Sequence, residues 1–110
     1  LSTFYNNLGV IYRNEGKEDS AILAYKQSLK IKEELKDEKG LSNLRINLSS
    51  LLINQKKYAE ALNLTDANLV YLQKNENKTD LWYNLVNKAW CLEGLKRYKE
   101  TDEFLQKALV

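Results

Sequence analysis

The side chains of this chain best suited to chemistry by type and spacing are carboxamides. Asn7, Asn47 and Asn87 stand 40 residues apart, and each offers a donor and an acceptor, the two groups needed to hold the backbone of an extended peptide. A ladder of three would grip a peptide without reading its side chains; the other use of the same groups is to bond a neighbouring helix. Residues for covalent or acid–base catalysis are sparse by comparison. There is no histidine, so the commonest general base and every Ser/His or Cys/His pair are missing. The single cysteine, Cys91, cannot close an intrachain disulfide, and without histidine the usual zinc-ligand sets cannot be assembled. The carboxylates are scattered over polar stretches as solvating charges. No cofactor or metal is expected, and the chain reads as non-catalytic.

These asparagines belong to a larger framework that returns at the same offset of 40 residues. Leu8, Gly9 and Tyr12 align with Leu48, Ser49 and Leu52, then with Lys88, Ala89 and Leu92. Ala21 and Leu29 align with Ala61 and Leu69, then with Thr101 and Leu109. The turn signal Gly16-Lys17-Glu18 returns as Lys56-Lys57-Tyr58 and Lys96-Arg97-Tyr98. Apolar residues at Phe4, Leu8, Ile11 and Tyr12, and again at Leu44, Leu48, Leu51 and Leu52, have the spacing of one helix face. Cys91 falls in the column of Ile11 and Leu51 and is expected to be a buried, inert thiol. With no proline and only four glycines, breakers are scarce, and the pattern predicts helices over 3–14, 18–37, 41–54, 58–74, 79–93 and 98–110. Gly40 is read as the left-handed residue closing the first unit, and Asn14 and Asn54 as helix terminators. Each unit is a helical hairpin that cannot bury both apolar faces alone, so the hairpins must stack. The expected organisation is a single domain over 1–110, with repeats at about 2–40, 41–78 and 79–110.

A net charge of +2 does not advertise a nucleic-acid partner. No apolar run approaches the length of about 18 residues that suggests a membrane span, and the first residues carry no secretory pattern. Cysteine usage leans toward a cytoplasmic location. Leu1 in place of an initiator methionine, and the apolar Leu105, Ala108 and Leu109 next to Val110, read as a segment of a longer protein whose uncapped end repeats could self-associate.

The residues Tyr5, Leu8-Gly9, Tyr12, Gly16, Ala21, Tyr25 and Ser28-Leu29 resemble the tetratricopeptide repeat. The second copy keeps Leu48-Ser49, Leu52, Tyr58, Ala61 and Asn68-Leu69 but has Thr65 where an aromatic is usual. The third keeps Ala89, Leu92 and Tyr98 but places Lys88 and Thr101 where the family is apolar or small. The period of 40 is longer than the family's usual 34 and resembles the variant of bacterial signalling proteins, with the surplus assigned to the second helix and its connection. The resemblance implies an all-α, right-handed superhelical array of three helix-turn-helix hairpins that binds a protein or extended peptide along its concave groove. On that reading Asn7, Asn47 and Asn87 hold backbone, Tyr83, Val86 and Trp90 give apolar contact, and Arg13 attracts an acidic group. Trp90 reads equally as a packing residue, and Trp82 is expected to pack. A chaperone-tail carboxylate clamp does not fit, because Asn6, Val10, Tyr83 and Asn87 occupy its basic and amide positions. The alternatives are a regulatory module of a bacterial histidine kinase or transcription regulator, or a spacer.

Overall fold

The computed structural model describes residues 1–75 and 78–97, and every regular element among them is an α-helix: α1 (Ser2–Asn14), α2 (Glu18–Glu34), α3 (Glu38–Asn54), α4 (Tyr58–Lys74) and α5 (Lys78–Gly94). The sequence period of 40 reappears in the helix boundaries. α2 and α4 start at 18 and 58, α3 and α5 start at 38 and 78, and α1, α3 and α5 stop at 14, 54 and 94. The further helix expected over 98–110 lies outside the described residues.

The stops are built alike. Gly16, Lys36, Lys56 and Lys96 all take left-handed backbone, at φ 76°, 54°, 61° and 60°. The next amide reaches back to a carbonyl five residues earlier, from Lys17 to Tyr12 at 2.8 Å, Asp37 to Lys32 at 3.0 Å, Lys57 to Leu52 at 2.8 Å and Arg97 to Leu92 at 2.9 Å. This is the Schellman reversal, which satisfies carbonyls that a helix end would otherwise leave unpaired. Only Gly16 meets the left-handed requirement without a Cβ; the three lysines adopt it at a cost of about 1 kcal/mol each.

The joint between the first and second hairpins differs from expectation. α2 stops at Glu34, not 37, and the left-handed residue is Lys36, not Gly40. Gly40 lies in the first turn of α3, where its amide donates to Oδ1 of the N-cap Asp37 at 3.1 Å. A Cβ on Gly40 would sit 2.6 Å from Asp37 Oδ2 and 2.7 Å from Lys32 Nζ, so the missing side chain makes room for the cap and its ion pair. Residues 35–37 thus form a tight turn between two helices of 17 residues each, α2 and α3.

Each helix packs on the next, α1 on α2 through to α4 on α5, and α3 also packs directly on α5. That order is typical of a helical-repeat solenoid. The core runs through Ala21, Tyr25, Leu48, Leu52, Ala61 and Leu92. Phe4 and Ile11, expected on a buried stripe, are instead 59% and 51% exposed, whereas their equivalents Leu44 and Leu51 are 1% and 3% exposed. The reason is position in the stack: α3 is covered by α2 and α5 by α4, and no described helix covers α1 in that way. Cys91 is fully buried in the core, as its column requires. No described helix is long and apolar enough to cross a membrane.

Candidate functional site

Residues four and three apart share one face of a helix, which sets Thr3, Asn7 and Val10 in a row on α1, Asn43, Asn47 and Ser50 on α3, and Tyr83, Asn87 and Trp90 on α5. The α3 and α5 rows lie on helices that pack side by side. Asn7 is exposed, and Asn47 and Asn87 are half-buried. Tyr83 and Trp90 are 55% and 56% exposed, two turns apart on the same face of α5, with half-buried Val86 beside Asn87. The surface is polar on α1 and α3 and aromatic on α5.

The three asparagines are not used alike. The Asn87 amide donates to Ser49 Oγ at 3.0 Å, Ser50 Oγ at 3.1 Å and the Ile46 carbonyl at 3.3 Å, so it ties α5 to α3. The positions that would serve Asn47 in the same way are Gly9 and Val10, which have no hydroxyl. Among the described residues the Asn47 and Asn7 side chains accordingly make no hydrogen bond. Asn14 and Asn54 are the terminal residues of α1 and α3, as read from sequence. Arg13 is exposed one residue earlier; burial raises the pKa of Tyr25, and the Arg13 charge works against that rise.

A recess of about 500 Å³ opens where the α3 end, the following turn and α5 meet, lined by Ser50, Ile53, Asn54, Lys56, Tyr58, Asn87 and Trp90. Gly94 shapes one wall: a Cβ there would lie 2.5 Å from three atoms of the Tyr58 ring, so the ring rests against bare backbone. Two of the residues expected to bind, Asn87 and Trp90, meet here. In the sequence Lys56 reads as part of a turn signal and Tyr58 as part of that signal and of the repeat pattern; that the turn delivers them beside the first helix of the next hairpin is a tertiary fact. Tyr83 lies outside the recess, and Trp82, expected to pack, is 56% exposed.

Beneath this surface α4 and α5 are joined by polar groups. Asn68 Nδ2 donates to Asn84 Oδ1 and to the Ser42 carbonyl, both at 3.3 Å, Asn84 Nδ2 donates to the Thr65 carbonyl at 3.0 Å, and Ser42 Oγ donates to Asp80 at 3.2 Å. Asn68, Asn84 and Thr65 are fully buried. Lys88, out of place in an apolar column, is half-buried and meets Asp66 of α4 at 2.9 Å. The equivalent of the Ser42–Asn68 contact between α3 and α4 is, in the first hairpin, the pair Ser2 and Ser28, whose hydroxyls are 2.9 Å apart. Sequence reading passed over Asn84; the available signal was a carboxamide in the column of Phe4 and Leu44. Burial, with a smaller contribution from Asp66, pushes the Cys91 thiol up to about 11, so it is neutral and unreactive at ordinary pH.

Among the described residues no three His, Cys, Asp or Glu side chains are grouped to hold a metal ion. Against known proteins, residues 2–35 match the sequence profile described as the tetratricopeptide repeat, a span that takes in α1, the turn and α2. No curated protein matches the chain. The first hairpin is thus similar to a tetratricopeptide repeat, and the remaining described helices repeat its boundaries in an all-α arrangement consistent with a helical-repeat family.

Proposed function

We propose that the chain is a non-catalytic scaffold: an array of tetratricopeptide-like hairpins with units near 2–40, 41–78 and 79–110, wound as a right-handed superhelix, that binds a protein or extended peptide along the face of α1, α3 and α5. The observation that carries this reading is the pairing, on one face, of unused carboxamides with exposed aromatic rings. Asn7 and Asn47 have no side-chain partner among the described residues, and Tyr83 and Trp90 stay more than half exposed. Carboxamides suit a peptide backbone, and tryptophan and tyrosine are the residue types most enriched where binding energy concentrates. Asn87 orients α5 through its amide and leaves its Oδ1 to accept from a ligand, Val86 backs the aromatic row, and Arg13 extends the face toward the end of α1.

The test is capture of binding partners from an extract of the source cells by the unmodified chain, by Asn7→Ala/Asn47→Ala, by Trp90→Ala and by Leu23→Ala on the far side of the first hairpin, all matched for helical content. The expected result is a partner retained by Leu23→Ala and lost by the other two variants. Equal retention by all four proteins would remove the binding role from this face.

A further inference from the structure

Resting on the scaffold reading, we infer that the recess between α3 and α5 takes a large apolar side chain of an extended peptide with an Asp or Glu beside it, the carboxylate seated at Lys56. The volume, about 500 Å³, lies within the range of about 300–1,000 Å³ typical of ligand pockets. Its apolar surface comes from Ile53, the Tyr58 ring lodged against Gly94 and the exposed indole of Trp90.

Among the described residues of that lining, Lys56 is the only formally charged one. Lys17, Lys26, Lys32 and Lys88 each meet a carboxylate within 3.4 Å, whereas Lys56 has no partner among the described residues. Its backbone is fixed at φ 61° by the reversal that ends α3, which sets the root of its side chain on the lining of the recess without ordering a loop. With a lysine and no carboxylate among the described lining residues, the recess is complementary to one anionic group beside an apolar one. The bonds that consume the Asn87 amide leave its Oδ1 to receive a peptide N–H.

The experiment uses Trp82→Phe as background, which makes Trp90 the sole tryptophan, and follows its emission on titration with octapeptides blocked at both ends. Each carries a central Phe or Leu flanked by Asp and Glu, by Asn and Gln, or by Lys. The acidic set is expected to bind about fivefold more tightly than the amide set, as one exposed ion pair gives at best, with the Lys set weakest. Lys56→Gln should make the acidic and amide sets equal, and Lys56→Arg should keep the preference; Lys56→Asn, which suits left-handed backbone, substitutes for the first if it unfolds. Equal binding of acidic and amide peptides to the unmodified recess, a preference that survives Lys56→Gln, or no effect of any peptide on Trp90 would overturn the inference. Such a result alongside a partner lost by Asn7→Ala/Asn47→Ala would leave the scaffold standing, and a partner kept equally by that variant and by Trp90→Ala would remove the binding role from this face.

Discussion

A methyl group on Gly9 would lie 2.8 Å from the ring of Tyr25, closer than carbon atoms pack. At the offset of 40 the pair becomes Ser49 and Thr65, a larger residue on the first helix and a smaller one on the second, both fully buried. Gly9→Ala is therefore expected to cost about 1–3 kcal/mol from overpacking, measured by urea unfolding, and Gly9→Ser/Tyr25→Thr should cost less than its two single changes summed. Additive costs would show that the sites are independent. The sequence displayed Thr65 as an irregularity; its compensation by Ser49 becomes legible only once the two columns are known to face each other. Cys91 carries a second expectation at this scale. Its thiol is raised from 9.0 to about 11, chiefly by burial. The unfolded chain therefore loses its proton first, and the contribution is complete below about pH 9 and lost as pH rises toward 11. The stability advantage of the unmodified chain over Cys91→Ala should shrink by on the order of 2 kcal/mol between pH 8 and 11. An unchanged gap would mean that the fold tolerates the thiolate.

Between helices, the α4–α5 joint depends on two buried carboxamides where the α2–α3 joint has Ser28 and Leu44. Asn68 already has one buried oxygen, Oδ1, without a hydrogen-bond partner among the described residues. Asn84→Leu would remove one of the two acceptors of its Nδ2 and the side-chain donor to the Thr65 carbonyl, and is expected to destabilise by about 1–3 kcal/mol. Asn68→Leu/Asn84→Leu, which removes both groups, should recover part of that loss; a double variant as unstable as the sum of the singles would refute the pairing. Helix type and period were readable from apolar spacing, because that spacing reflects burial that every hairpin shares. The joint at 34–40 was not. The intrinsic preference of glycine points to Gly40 for the left-handed position, but the fold places Lys36 there and uses the small size of Gly40 beneath the Asp37 cap.

At the scale of the whole stack, residues in the same repeat position have unequal worth. Leu44 is buried between hairpins while Phe4 is 59% exposed, in edge contact with Tyr5 at 5.3 Å between ring centres. Leu44→Ala is expected to cost about 2–5 kcal/mol and Phe4→Ala within about 0.5 kcal/mol, compared by denaturant midpoints; similar costs would show that α1 is covered in solution. The candidate site was half legible for the same reason. Asn87 and Trp90 could be placed from periodicity within one helix, whereas Lys56 and Tyr58 reach the recess only through stacking of α3 on α5. A molecule whose helices touch chiefly their neighbours opens in pieces, not all at once. Its one thiol lies sealed where α5 meets the core, so the rate at which a thiol reagent consumes Cys91 counts the moments when α5 lifts from α3 and α4. A ligand bridging α3 and α5 would slow that count in proportion to its occupancy, making the chain its own binding sensor.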